Sequence, residues 1–231
     1  TYRCFLSSVP TSHRLVRGDH IDGWILRSAE ASEKEGYVDY DAFCESISQS
    51  AKLCHLSRSR LAIAQCSYLQ KRKRIEAAIV PEECVIANSC NYLILSTPDN
   101  DPGMLCYYWA LINSSILEWQ FRIFSYNNHV SNKEIDELVC IPFSDLNSAQ
   151  KEFFLKMADL KAITKSDTYL LDAAVAVIFG LSLDEYRSVM ESISADDSEK
   201  RASMFCQISE TLIEIERTVT APANHFMPSL S

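Results

Sequence analysis

The sequence predicts an α+β fold: a mixed β-sheet module with packed helices over residues 1–143, followed by an all-helical region over residues 144–231. Three observations carry that expectation. Between Arg60 and Leu95, short apolar runs alternate with polar clusters, the texture of strands in a mixed sheet. Beyond Phe143, apolar residues recur at spacings of three and four, the helical period. Finally, 231 residues of which 47% are apolar suffice for a real core, and 5 Gly and 7 Pro exclude a fibrous or disordered chain.

Taken in order, Leu15 to Ser28 reads as short strands around a turn at Arg17-Gly18-Asp19. Residues 29–50 are acidic and polar, a solvated loop followed by a short helix. The strand candidates are Leu61-Ala62-Ile63-Ala64, Ala77-Ala78-Ile79-Val80, Val85-Ile86-Ala87 and Tyr92-Leu93-Ile94-Leu95. The turn cluster Pro98 to Gly103 ends this region. A helix follows, with Leu105, Tyr108, Ile112, Ile116 and Trp119 spaced by three or four. Ser131 and Glu134 form a capping-box pattern that starts another helix, and Val139-Cys140-Ile141-Pro142 looks like a closing strand.

In the helical region, Asn147 and Gln150 cap a helix carrying Phe153, Phe154, Met157 and Leu160. Leu171, Ala174, Val175, Ile178 and Phe179 share one helical face, which Gly180 ends in the left-handed conformation. Ser182 and Glu185 cap the next helix, with Tyr186, Val189, Met190 and Ile193. A last helix after Asp196-Asp197-Ser198 carries Phe205, Ile208, Leu212 and Ile215, and the tail from Ala221 to Ser231 reads as irregular. There is no internal repeat.

The compartment reads as a reducing cytoplasm. Nine scattered cysteines without a Cys-x-x-Cys pair argue against a disulfide framework and against structural zinc. The longest apolar run, Ala173 to Leu181, falls short of the roughly 20 residues a membrane span needs, so no membrane partner is expected. No signal-peptide pattern opens the chain.

The formal charge of −9 argues at face value against a nucleic-acid partner, but it is unevenly distributed. Residues 1–143 hold 14 Lys/Arg against 17 Asp/Glu, and residues 144–231 hold 8 against 14. Within the first part, Ala51 to Ile75 carries seven cations (Lys52, Arg58, Arg60, Lys71, Arg72, Lys73 and Arg74) and no acid. Such a run is either a solvated face or a local positive field.

Catalytic motifs are absent from the sequence: no glycine-rich phosphate loop, no Gly-x-Ser-x-Gly elbow and no His-Glu-x-x-His helix. The five histidines are too dispersed for a metal cluster, so no metal is expected. Three polar clusters stand out instead: Gln65 to Arg74, Asn88-Ser89-Cys90-Asn91, and Tyr126 to Asn132. Asn and Gln amides pair with adenine edges, and Arg and Lys read guanine or hold phosphates. Asn-rich tetrads are equally turn formers, and Ser131 is already accounted for as a helix cap.

Order and spacing add a further expectation. The elements are Leu15-Val16-Arg17-Gly18-Asp19-His20-Ile21, Arg60-Leu61-Ala62-Ile63-Ala64-Gln65-Cys66-Ser67, Lys71-Arg72-Lys73-Arg74-Ile75 and Asn88-Ser89-Cys90-Asn91-Tyr92. They continue with Tyr107 to Arg122, around Leu111-Ile112-Asn113-Ser114, then Asn127-Asn128-His129-Val130-Ser131 to Ile141-Pro142, and Leu171 to Glu185. This ordered set resembles the TaqI-like C-terminal specificity domain, the target-recognition domain of adenine-specific DNA methyltransferases of restriction–modification systems. The flavour is that of the type IIS group. The resemblance spans about residues 14–194 and departs from the family at Gln65, where the family carries two glutamines. The family's S-adenosylmethionine loop and Asn-Pro-Pro-Tyr motif do not occur here.

The resemblance implies a cytoplasmic bacterial DNA-recognition fragment without its own cofactor. Its partners would be double-stranded DNA and the catalytic methyltransferase domain of the parent, which holds S-adenosylmethionine. Arg58, Arg60, Lys71, Arg72, Lys73 and Arg74 are the expected phosphate grip. Gln65, Asn88, Ser89, Asn91, Asn127, Asn128 and His129 are the expected polar contacts to bases or sugars. Residues 144–231 would support this module. The competing readings are a protein–protein adaptor without DNA contact and, third, a cysteine hydrolase.

Overall fold

The computed structural model describes residues 2–27, 36–50, 52–67, 69, 71–95 and 101–220. Four expectations fall wholly or partly outside them: the acidic stretch 28–35, the turn residues 98–100, positions 68 and 70 of the first polar cluster, and the tail 221–231. The fold is α+β with a helical C-terminal part.

The sheet is built on β6 (Arg60–Ala64), flanked antiparallel by β7 (Ala77–Val80) and β9 (Cys90–Leu93). Register sets Ile63 opposite Ala77 on one side and Asn91 on the other. Every residue of β6 is buried, because both sheet faces are covered. Side chains alternate across a strand, so Leu61 and Ile63 enter the main core while Ala62 and Ala64 enter a smaller one with Val16, Ile21 and Val80.

Short paired strands surround this sheet. Leu6–Ser7 (β1) pairs antiparallel with Tyr37–Val38 (β5), and Leu15–Val16 (β2) lies parallel to Val85–Ile86 (β8). Ile21–Asp22 (β3) and Ile25–Leu26 (β4) form a hairpin. The helix expected in the acidic segment is α1 (Tyr40–Ser46), capped by Asp39 and preceded by β5, a strand its polar neighbours concealed.

Helices α2 (Pro102–Ile112) and α3 (Ser115–Phe124) occupy the stretch expected to be one helix. The apolar spacing runs through the break, but the polar residues at it do not permit continuation. Asn113 turns its side chain to the Ala77 carbonyl (2.7 Å), and Ser114 becomes the cap of α3, accepting from Leu117 N (3.2 Å). α4 (Asn132–Asp136) carries the expected Ser131/Glu134 box.

The expected closing strand at 139–142 does not form. The amide and carbonyl of Val139 are taken by the Gln120 side chain (2.9 and 3.3 Å), and the Ile141 carbonyl accepts from the Tyr107 hydroxyl (2.6 Å). Side chains thereby replace the ladder.

The remaining helices are α5 (Ser148–Ala158), α6 (Lys165–Ile178), α7 (Leu183–Ser192) and α8 (Ser198–Thr220). α5 and α7 start at the capping boxes expected for them, and α6 starts at a further box of Thr164 and Asp167. Gly180 ends α6 at φ +72, where a side chain is strained. The compositional boundary at Phe143 does not separate two cores. One cluster holds Leu61 and Ile63 of β6, Tyr107 and Leu111 of α2, Phe154 of α5, Leu171 of α6 and Phe205 of α8. Among the described residues no helix is long and apolar enough to cross a membrane.

None of the nine cysteines forms a disulfide. Burial pushes the thiols of Cys90 and Cys106 up to about 12. Brief iodoacetamide treatment at pH 8 should therefore modify exposed Cys4, Cys54, Cys66, Cys140 and Cys206 and spare buried Cys84, Cys90 and Cys106 until urea unfolds the chain. Peptide mass spectrometry reads the pattern, and rapid labelling of Cys106 would contradict its burial.

Candidate functional site

The basic tetrad lies between the sheet and the helices, and each of its head groups meets a protein partner. Lys71 pairs with Glu76. Arg72 donates from Nε to the Ser194 carbonyl (3.2 Å) and lies 3.7 Å from Asp196. The Lys73 ammonium donates to both oxygens of Asn113 (2.8 and 2.9 Å) and sits 5.1 Å from the centroid of the Trp24 ring. Burial pushes its pKa down to about 8, against the upward pull of Glu76 and Glu118.

Arg74 is buried, its guanidinium 4.8 Å from the centroid of the Phe121 ring. It donates to the Ser125 carbonyl (2.6 Å), to Ser125 Oγ (3.2 Å) and to the Asn127 carbonyl. The Glu118 carboxylate accepts the amides of Arg74 and Ile75 (2.8 and 3.0 Å) and pairs with Arg122.

Two members of the expected phosphate grip are turned inward. Arg74 and Arg60 are both buried, with guanidiniums turned to carbonyls inside the protein. Arg60 donates to the Cys84 carbonyl (2.5 Å) beside the Tyr92 ring, at the end of β6 remote from Gln65. Arg58, partly exposed, precedes it at that same remote end. Lys71 and Arg72 keep exposed surface, with 38% and 57% of their side chains accessible.

The three polar clusters, by contrast, come together. Gln65 donates to Asn91 Oδ1 (2.6 Å), and Asn91 donates to the Val130 carbonyl (2.7 Å). Backbone bonds join Gln65 N to Ser89 O (3.0 Å), Ser67 N to Asn128 O (2.8 Å) and Val130 N to Gln65 O (2.8 Å). The Asn128 side chain accepts from Leu69 N (3.3 Å), and Ser89 Oγ accepts from Gly18 N (3.0 Å).

That last contact requires glycine: a Cβ on Gly18 would stand 2.8 Å from the Ser89 carbonyl oxygen. The clusters thus form one patch at the far end of β6. Asn91 is buried and positions the others; Gln65 and Ser89 are half-buried; Asn88, Asn127, Asn128 and His129 are exposed. Side chains in that state are available for direct hydrogen bonding to a ligand of matching donors and acceptors.

Sequence reasoning did not anticipate a second polar centre. Asp172 of α6 is buried and accepts from Ser115 N (2.6 Å), Ser115 Oγ (2.7 Å), Tyr186 (2.8 Å) and Arg201 (2.6 Å). Nearby lies a cavity of about 120 Å³ lined by Trp24, Lys73, Asn113, Ser115, Asp196 and Arg201. Of its charged groups, Arg201 pairs with Asp172 and Asp196, and the Lys73 ammonium is taken by the oxygens of Asn113. Among the described residues, no three His, Cys, Asp or Glu side chains are grouped to hold a metal ion.

No family model matches the chain, and no curated protein matches it.

Proposed function

We propose that the chain is a target-recognition domain of an adenine-specific DNA methyltransferase of a restriction–modification system. It would bind duplex DNA and place the adenine for methyl transfer from S-adenosylmethionine by a catalytic domain outside this chain. The observation that carries this reading is the convergence of residues 65–67, 88–91 and 126–130, far apart in sequence, into one hydrogen-bonded patch. The patch presents amides and an imidazole outward, the groups that read base edges in a groove.

Phosphate contacts fall to cations that keep exposed surface, Lys71, Arg72 and Lys133 of α4, whose side chain is 87% accessible. Few contacts mean a shallow salt dependence, about one unit of log–log slope per phosphate. An adaptor role is the second reading. It is favoured by the exposed apolar residues Trp119 and Ile123 of α3 and the neighbouring Val139.

Selection of the full chain on a randomised duplex pool in about 50 mM salt should recover one recurrent site, since the phosphate term is strongest there. Replacing Asn88, Asn127 and His129 together by alanine should weaken binding to that site at least tenfold per lost base contact, with an unchanged urea midpoint. A pool that yields no recurrent sequence sinks the DNA reading and leaves the adaptor reading.

A further inference from the structure

The segment between α3 and α4 holds one apolar side chain in an unusual setting. Tyr126 is 76% exposed, the most exposed large apolar residue among those described. Its backbone neighbours are nonetheless fixed: buried Arg74 donates to the carbonyls of Ser125 and Asn127, on either side of it. Ser125 is held again from its hydroxyl, which donates to Glu134 (2.7 Å), and the Tyr126 hydroxyl donates to the Ile123 carbonyl (3.2 Å). A large ring is thus kept in water on an immobilised piece of chain, forgoing the burial that aromatic residues ordinarily gain.

Its surroundings bear on what would cover it. Asn127, Asn128 and His129, the exposed edge of the polar patch, follow directly in sequence. Leu69, 49% exposed, is tied to the same loop by its N–H, which donates to the Asn128 side chain (3.3 Å). Lys133 of α4 lies seven residues on, its side chain 87% accessible and its ammonium 3.9 Å from Glu137. A flat exposed apolar face followed in the chain by exposed amides suits a nucleobase, which is apolar on its faces and polar at its edge.

Resting on the DNA reading above, we propose that Tyr126 is a DNA-contacting wedge, its ring stacking on a base unstacked from the duplex beside the recognised site. Arg74 sets the ring's position in advance, so little conformational freedom is lost on contact. The amides next to it then read the edges of neighbouring bases, and insertion of an apolar ring at a base step bends the duplex toward the patch.

The test uses the full chain and the duplex recovered by selection, carrying the fluorescent base 2-aminopurine at each position in turn. Wild type should raise fluorescence at one position only. Tyr126→Ala should abolish that signal and weaken binding about tenfold, the effect of removing one stacked ring. Tyr126→Phe should keep both, because stacking needs the ring and not its hydroxyl. Unchanged affinity and signal in Tyr126→Ala, or loss of both in Tyr126→Phe, overturns the wedge while the DNA reading stands. Failure of wild type to bind any duplex overturns both. A Tyr126→Ala variant that binds DNA normally but changes its association state assigns the ring to a protein contact instead.

Discussion

Asp172→Ala should destabilise the chain by about 3–5 kcal/mol, the cost of removing one partner of a buried ion pair. The carboxylate is 1% exposed and is shared by four helices. It accepts from Ser115 at the start of α3, from Tyr186 of α7 and from Arg201 of α8, while lying itself on α6. Alanine there strands two hydroxyls, an amide and a mostly buried guanidinium together, and Asp196 alone remains to face Arg201. Urea denaturation measures the loss as a lowered midpoint at constant slope. A loss below about 1 kcal/mol, the range of exposed pairs, would show that water reaches the network.

Asp196 gives the same centre an acid limit. Burial pushes its carboxyl up, but Arg201 and Lys165 outweigh that and hold it at about 2, below the ordinary 3.8. Because the folded value is the lower one, its contribution is complete above pH 3.8 and fades as pH falls through 2. The Asp172→Ala loss should therefore be measured at neutral pH, where Asp196 still holds Arg201.

The helix starts were legible because capping is local. Ser131 with Glu134, Asn147 with Gln150 and Ser182 with Glu185 each form their box within one turn, as the spacing alone requires. Thr164 with Asp167 works identically but carries Asp where the signature expects Glu or Gln. The break at Asn113-Ser114 was hidden for the opposite reason. The apolar spacing continues across it, and what stops the helix is the Ala77 carbonyl, which is distant in sequence. The partners of the tetrad were hidden on the same ground. The three carboxylates that answer its charge are Glu76, Glu118 and Asp196, and two of these lie far along the chain. In the site, each polar cluster was visible singly, whereas their meeting depends on the register of β9 against β6, which composition does not encode.

Replacing Arg74 separates structural support from phosphate binding as roles for a cation in this protein. Arg74→Met keeps the apolar stem against Phe121 but leaves the Ser125 and Asn127 carbonyls without their donor. An unsatisfied buried group costs about 1–3 kcal/mol, and Ser125 is buried whereas Asn127 is exposed, so a loss of roughly 1–3 kcal/mol is expected. Under the proposed function, the freed segment carries Tyr126, Asn127, Asn128 and His129 out of register, and preference for the selected duplex should fall at least tenfold. The log–log salt slope should not change, because a buried guanidinium neutralises no phosphate. Arg72→Ala should do the reverse: its side chain is 57% accessible, so removing it lowers the slope by about one unit with little effect on the urea midpoint. A slope reduced by one in Arg74→Met, with stability intact, would instead place that guanidinium on the DNA backbone and return the tetrad to a phosphate grip.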